Sequence, residues 1–283
     1  MNGPLTKLLS AVLGTAVAAL VVGLPTGAAA QFAAPVLPGY IPETEVEAAL
    51  AEGGVLLRDP GLTIAAERIS ASPTASVDQT TNHIVLIMEG SATLVTEGTL
   101  SNGVIQGGRD RRLTEGDLIV IPADTPYWWK EVPTGTIAYL AVHKETPRSG
   151  NTWGLPDAVQ LIGSERIRTR MSEPGGPRDP LLSNPGVVFY GQRVGVDDSA
   201  EAHPNHSHIF LLMDGEASFM TGTPGAAIVD GRPVGPTVHH RIRQGGIMIV
   251  PATTPHQWVE TGNNAFGPPD SFGYIAINMD TPR

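Results

Sequence analysis

The sequence predicts an all-β chain of two tandem barrels with short helical arms, preceded by an N-terminal signal peptide. Three observations carry that expectation. Four sequence blocks recur in the same order in the two halves. Between them run short apolar stretches cut by Gly and Pro, with no long helical period. The only long apolar run is confined to the first thirty residues.

That leader holds one charge, Lys7, followed by an apolar run from Leu8 to Leu24 and by Ala28-Ala29-Ala30 before Gln31. A basic start, an apolar middle and a small-residue exit are the parts of a secretory signal peptide, so residues 1–30 are expected to be removed and the protein to be periplasmic or secreted. The formal net charge of −10 becomes one unit more negative without Lys7. An acidic surface repels phosphates, which argues against nucleic acid and, after signal cleavage, against a membrane as partner. The absence of cysteine excludes disulfides, thiolate ligands and a Cys nucleophile, and leaves stability to core packing.

The rest divides by its repeats. Residues 31–59 form an N-terminal arm with a candidate helix at Glu43–Glu52, and residues 60–150 form the first barrel. Residues 151–184 form a linker with a second candidate helix at Asp157–Ser164, and residues 185–283 form the second barrel. "PGLTIAAERIS" from Pro60 is echoed by "PGVVFYGQRVG" from Pro185, and "HIVLIMEGSA" from His83 by "HIFLLMDGEA" from His208. "GDLIVIPADTPYWW" from Gly116 is matched by "GIMIVPATTPHQW" from Gly246, and "YLAVHKETPR" from Tyr139 by "YIAINMDTPR" from Tyr274. The spacing between partners only lengthens along the chain, as duplication with loop insertions requires. Gly90 and Gly215 are expected to end strands at tight turns.

These blocks resemble the two motifs of the cupin family, small jelly-roll barrels: G(x)5HxH(x)3–4E(x)6G and G(x)5PxGxxH(x)3N. In the second half every spacing is met, through Gly195, Glu201, His203, His208 and Gly215, then Gly245, Pro251, Thr253 and His256. Residue types depart from the pattern. Glu201 stands in the first His slot, His208 in the Glu slot, Thr253 in a Gly slot and Glu260 in the Asn slot. The resemblance implies one divalent transition metal (Fe, Mn, Ni, Cu or Zn) held by His203, His208, His256 and Glu201. His206 is an alternative ligand, because His206 and His208 also form an HxH pair. Strand periodicity independently puts Glu201 and His203 on one face. Glu201 is the fourth ligand or a catalytic base, and Glu260 a candidate to orient His256.

The first half carries Ser76, Asp78, His83 and Tyr127 in the same slots, a poor divalent site. It is read as a degenerate barrel, with a metal-free substrate pocket as the functional alternative. Trp129 and Trp258 occupy matching places and are expected in the cores, whereas Trp128 has no twin and suits a pocket or an interface. His239-His240 is expected in a solvated loop. Arg241 and Arg243 are expected at a strand edge rather than as an anion clamp.

The resemblance implies a metal-dependent enzyme acting on a small organic molecule, a dioxygenase- or oxidase-like oxidoreductase. A metal-dependent isomerase or lyase and a non-catalytic binding or storage bicupin remain open, because one barrel hosts many functions. A homodimer is a further expectation.

Overall fold

The protein is described from a computed structural model over residues 39–145 and 158–280, apart from 173, 176–178, 185, 198 and 263–269. The leader expected over 1–30 lies outside these residues. No helix among them is long and apolar enough to cross a membrane.

Each half folds as two antiparallel sheets. In the second, six strands including Val187–Val194, His206–Asp214, Ile247–Val250 and Phe272–Asp280 form one sheet. Glu216–Gly222, Thr237–Arg243 and His256–Thr261 form the other. The first half repeats this plan, except that the long strand Thr81–Thr96 serves both sheets. Gly90 therefore lies inside a strand rather than at its end. Its left-handed φ of 80° makes the bend, and a Cβ there would come within 2.3 Å of the Thr136 carbonyl. Gly215, with φ 84°, does separate two strands as expected.

Strand alternation sorts most of the buried apolar residues into three large cores, beside a small cluster of Ala75, Val95 and Ile105. Val85, Ile87, Trp129, Tyr139 and Ala141 fill the first barrel. Phe210, Leu212, Phe219, Trp258, Phe272 and Tyr274 fill the second, so both matched tryptophans are core residues. The opposite faces of the two large sheets meet in a shared core that includes Ile84, Leu86, Leu140, Phe189, Ile209, Leu211 and Ile277. Each such side chain contributes about 1.5–3 kcal/mol on burial, so the barrels stabilise one another.

The segments before the barrels cross over. Gly39–Ile41 pairs with Ile247–Ile249 of the second barrel, and Gln160–Ile162 pairs with Leu118–Val120 of the first. The first expected helix is present at Glu43–Glu52 (α1), where Ala, Leu and Glu favour helix, and Gly53 ends it with φ 82°. Val46 anchors it in the shared core. The second expected helix is displaced: Gln160–Ile162 is the crossing strand, and the helix runs over Ser164–Arg170 (α2). Local pattern pointed to 157–164, but pairing with a distant strand edge overrides it.

Asp117 fastens that crossing segment. Its buried carboxylate accepts from the Ser164 N–H at 2.7 Å and from the Thr114 N–H at 2.8 Å. Asp117→Ala strands both donors and is expected to cost about 1–3 kcal/mol. Thermal melting followed by circular dichroism checks this. An unchanged melting temperature would mean that strand pairing alone holds the segment.

Candidate metal centre

In the second barrel two pieces of chain are clamped edge to edge. Glu201 and His256 exchange both backbone hydrogen bonds, at 2.9 and 2.8 Å, and the Thr253 N–H donates to the His203 carbonyl at 2.8 Å. Thr253 adopts φ 66°, a left-handed conformation that a β-branched residue disfavours. This is why its slot favours glycine. The strain, of order 1–3 kcal/mol, is held by the bond to His203.

The clamp and the strand beginning at His206 converge Glu201, His203, His208 and His256. The His203 ring lies 4.8 Å from that of His208 and 5.5 Å from that of His256, with His208 and His256 5.1 Å apart. Glu201 Oε1 lies 3.4 Å from His203 Nε2 and 3.5 Å from His256 Nε2. His206 stacks on His203 at 4.5 Å, so the alternative residue is at the site as well. Donor atoms of Glu201, His203 and His256 lie within 4.8 Å of one another, as do those of His203, His206 and His208. His203 is common to both sets.

The hydrogen bonds fix what these rings offer. Nδ1 of His256 lies 2.9 Å from the Thr254 carbonyl, which only accepts, so Nδ1 carries the proton. Nδ1 of His208 likewise donates to Oδ1 of Asn278 at 2.8 Å. In the neutral tautomers each Nε2 is then a lone pair. Both Nε2 atoms are buried without a hydrogen-bond partner, in rings whose residues are 4% and 3% exposed for His208 and His256. Nε2 of His256 moreover faces a carboxylate oxygen, acceptor against acceptor, unless a cation or proton lies between them. Each orphaned atom costs roughly 1–3 kcal/mol, which a bound cation would offset. On this chemistry the residues fit a metal ion.

Charge follows the same layout. The facing imidazoles of His203 and His256 hold the Glu201 carboxyl well below the usual carboxylate range, through the proton or positive charge either ring can bring to it. Burial, reinforced by the neighbouring histidines, pushes His208 down to about 3. Below its unfolded value near 6.5, His208 binds a proton in the unfolded chain before it does so in the folded one. Stability is therefore full above about pH 6.5 and falls as the pH drops toward 3. His83, pushed down to about 4 by its own burial, acts in the same direction. Melting temperatures of the chelator-treated protein are expected to fall steadily from pH 6.5 to pH 4, and a flat profile would contradict the burial of these rings.

Asn278 and the Thr254 carbonyl were not found from the sequence. A polar residue at an inward position of the apolar run "YIAIN" was the available sign for Asn278. Glu260 does not orient His256: it lies against Ser218 Oγ at 3.3 Å, and the Thr254 carbonyl takes that role. His239-His240 sits on the strand Thr237–Arg243, not in a loop. Arg241 and Arg243 pair with Glu216, and Arg243 also with Glu43, so neither forms an anion clamp.

The first barrel keeps the frame of this site without its donors. Ser76 and Tyr127 exchange the same two backbone bonds as Glu201 and His256, and the Asp124 N–H donates to the Asp78 carbonyl as Thr253 does to that of His203. The side chain of Asp78 is turned to the Thr80 and Thr81 N–H groups. Among the described residues no cluster suited to a metal lies in this barrel.

No family model matches the sequence, and no curated protein matches it. Solved structures do match. A salicylate 1,2-dioxygenase from Pseudaminobacter salicylatoxidans is 9% identical, with 86% of this chain and 84% of that one covered and a TM-score of 0.56. A putative glyoxylate-induced protein from Pseudomonas aeruginosa is 15% identical, with 92% and 94% covered and a TM-score of 0.54. A cupin 2 conserved barrel domain protein from Leptotrichia buccalis is 13% identical, with 80% and 88% covered and a TM-score of 0.48. At such identities the likeness speaks for the fold alone, and that fold is two cupin-type jelly rolls in one chain.

Proposed function

We propose that this chain, a bicupin by fold, holds one divalent transition metal in its second barrel and acts there as a dioxygenase-like oxidoreductase on a small organic molecule. One observation carries the metal reading: the Nε2 atoms of His208 and His256 are buried lone pairs, each fixed by a donating Nδ1, in rings 5.1 Å apart, and that of His256 faces the anionic Glu201. His203 completes the donor set we assign. Mixed imidazole and carboxylate ligands suit Fe, Mn, Ni, Cu or Zn, and four protein ligands leave room for substrate on a six-coordinate ion. Bound there, such an ion supplies Lewis acidity and, where redox-active, electron exchange with oxygen.

The chain's own residues do the rest. Asn278 and the Thr254 carbonyl hold two imidazoles in the ligating tautomer. Phe210, Phe219 and Trp258 form a dry floor against His208 and His256. Glu201, its side chain 61% exposed, stands at the open side where a substrate enters. Its depressed pKa suits an anionic ligand better than a base poised near neutrality. The oxygen-handling reading draws support from the fold shared with a salicylate 1,2-dioxygenase. An exported location rests on the residue 1–30 pattern.

Metal analysis of the purified chain, with oxygen uptake over a panel of small organic acids and phenols, tests this. About one ion per chain is expected, retained in His206→Ala and lost in His203→Ala. A protein that carries no metal and takes up none on titration would sink the proposal.

A further inference from the structure

The first barrel holds a half-open cavity of about 250 Å³ lined in part by Ser76, His83 and Tyr127, the counterparts of Glu201, His208 and His256. Its polar wall is a rebuilt version of the one in the second barrel. There, Tyr274 donates to Gln192 at 2.7 Å across one strand pair, and His208 donates to Asn278 across the next. At the same register positions the first barrel has Tyr139 opposite Glu67, and His83 opposite His143. Two neutral amides have become a carboxylate and an imidazole.

That exchange fixes the protons. Glu67 accepts from the Tyr139 hydroxyl and lies 3.4 Å from His143 Nε2. The bond from His143, with that from Tyr139, keeps the Glu67 carboxyl below the usual carboxylate range. An anionic Glu67 puts the His143 proton on Nε2, so Nδ1 of His143 accepts. Nδ1 of His83, 2.9 Å away, then donates to it. The remaining nitrogen of His83, Nε2, is a lone pair, buried and without a partner in a residue 8% exposed. With Nδ1 committed to the neighbouring strand, Nε2 is the atom left for the cavity. A ligand must bring it a donor.

The remaining walls select the ligand's body and charge. Tyr127 tilts against the His83 ring at 5.1 Å, and Trp129 stacks on Tyr139 at 4.9 Å. Trp128 is fixed through its Nε1–H to the Pro73 carbonyl at 2.8 Å. These are faces for a flat apolar ring. Glu67 makes the cavity hostile to anions, and Arg68, the cation on its rim, is occupied by Glu89 at 2.8 Å. A volume below the ~300 Å³ of common ligand pockets fits one ring with small substituents.

We propose that the first barrel binds a small, uncharged, hydroxyl-bearing aromatic molecule of the phenol class, whose hydroxyl donates to Nε2 of His83 while its ring lies against Tyr127, Trp128 and Trp129. This site needs no metal and stands apart from the reading of the second barrel. Calorimetric titration of the chelator-treated full chain with phenol, toluene and benzoate tests it. Saturable phenol binding is expected, with toluene and benzoate at least about tenfold weaker, since one leaves the buried acceptor unpaired and the other brings charge beside Glu67. His83→Ala is expected to weaken phenol by at least about tenfold; should that variant fail to fold, Trp128→Leu at the half-exposed wall loosens phenol instead. Toluene bound as tightly as phenol, benzoate bound more tightly, phenol binding unmoved by these substitutions, or no saturable phenol binding by the folded protein each overturns the proposal.

Discussion

A His208→Ala/His256→Ala double variant is expected to purify without metal, while the parent chain carries about one ion. Two of four assigned ligands are removed, and they are the two whose Nε2 atoms are buried and orphaned. Loss of an outer-shell partner alone costs about 10–100-fold in metal affinity, so loss of two direct ligands exceeds that range. A second measurement separates this from misfolding. An ion at about 100 times its Kd stabilises the folded parent by about 2.7 kcal/mol. For a chain of this size that is a rise of roughly 5–11 °C in melting temperature. The double variant is expected to fold, because it also removes two buried unsatisfied nitrogens, and to show no rise on adding metal. A variant that still binds one ion, or is still stabilised by it, would show that neither His208 nor His256 holds the metal.

Phe219→Ala is expected to produce the largest loss of stability among single substitutions near the site. Phe219 is fully buried, with its ring 4.4 Å from Trp258, 5.6 Å from Phe210 and 5.7 Å from His256. Truncation removes its burial energy and leaves a cavity between rings that cannot all move inward, at about 3–5 kcal/mol. Scaled to this chain, the melting temperature falls by roughly 6–20 °C. Because the same ring supports His256, metal affinity is expected to fall with it. Phe219→Leu, which refills most of the space, is expected to lose less than half as much. A fall of under about 2 °C for Phe219→Ala would show that the aromatic cluster repacks around the gap.

The pattern of what was legible is physical. Spacing from Gly195 to Gly215 and from Gly245 to His256 located Glu201, His203, His208 and His256 together, because the lengths of strands and turns are local quantities. The rings' tautomers were not legible. They depend on Thr254 and Asn278, whose roles exist only once the strand His206–Asp214 lies beside Phe272–Asp280. In the first barrel His83, the one histidine in the ligand slots, gained a partner in His143 for the same reason.

Duplication, the alternation that sorts residues between barrel interior and shared core, the first helix and the order of the site positions are written locally along the chain. All of these are carried by periodicity, by glycine's access to left-handed backbone, and by repeated spacing. The crossing of Gly39–Ile41 and Gln160–Ile162 to the opposite barrels, the start of the second helix at Ser164, and the hydrogen-bonded chain of Glu67, His143 and His83 arise only when the sheets assemble. A strand edge and a ring nitrogen each have several equally good partners along the chain, and three-dimensional packing chooses among them.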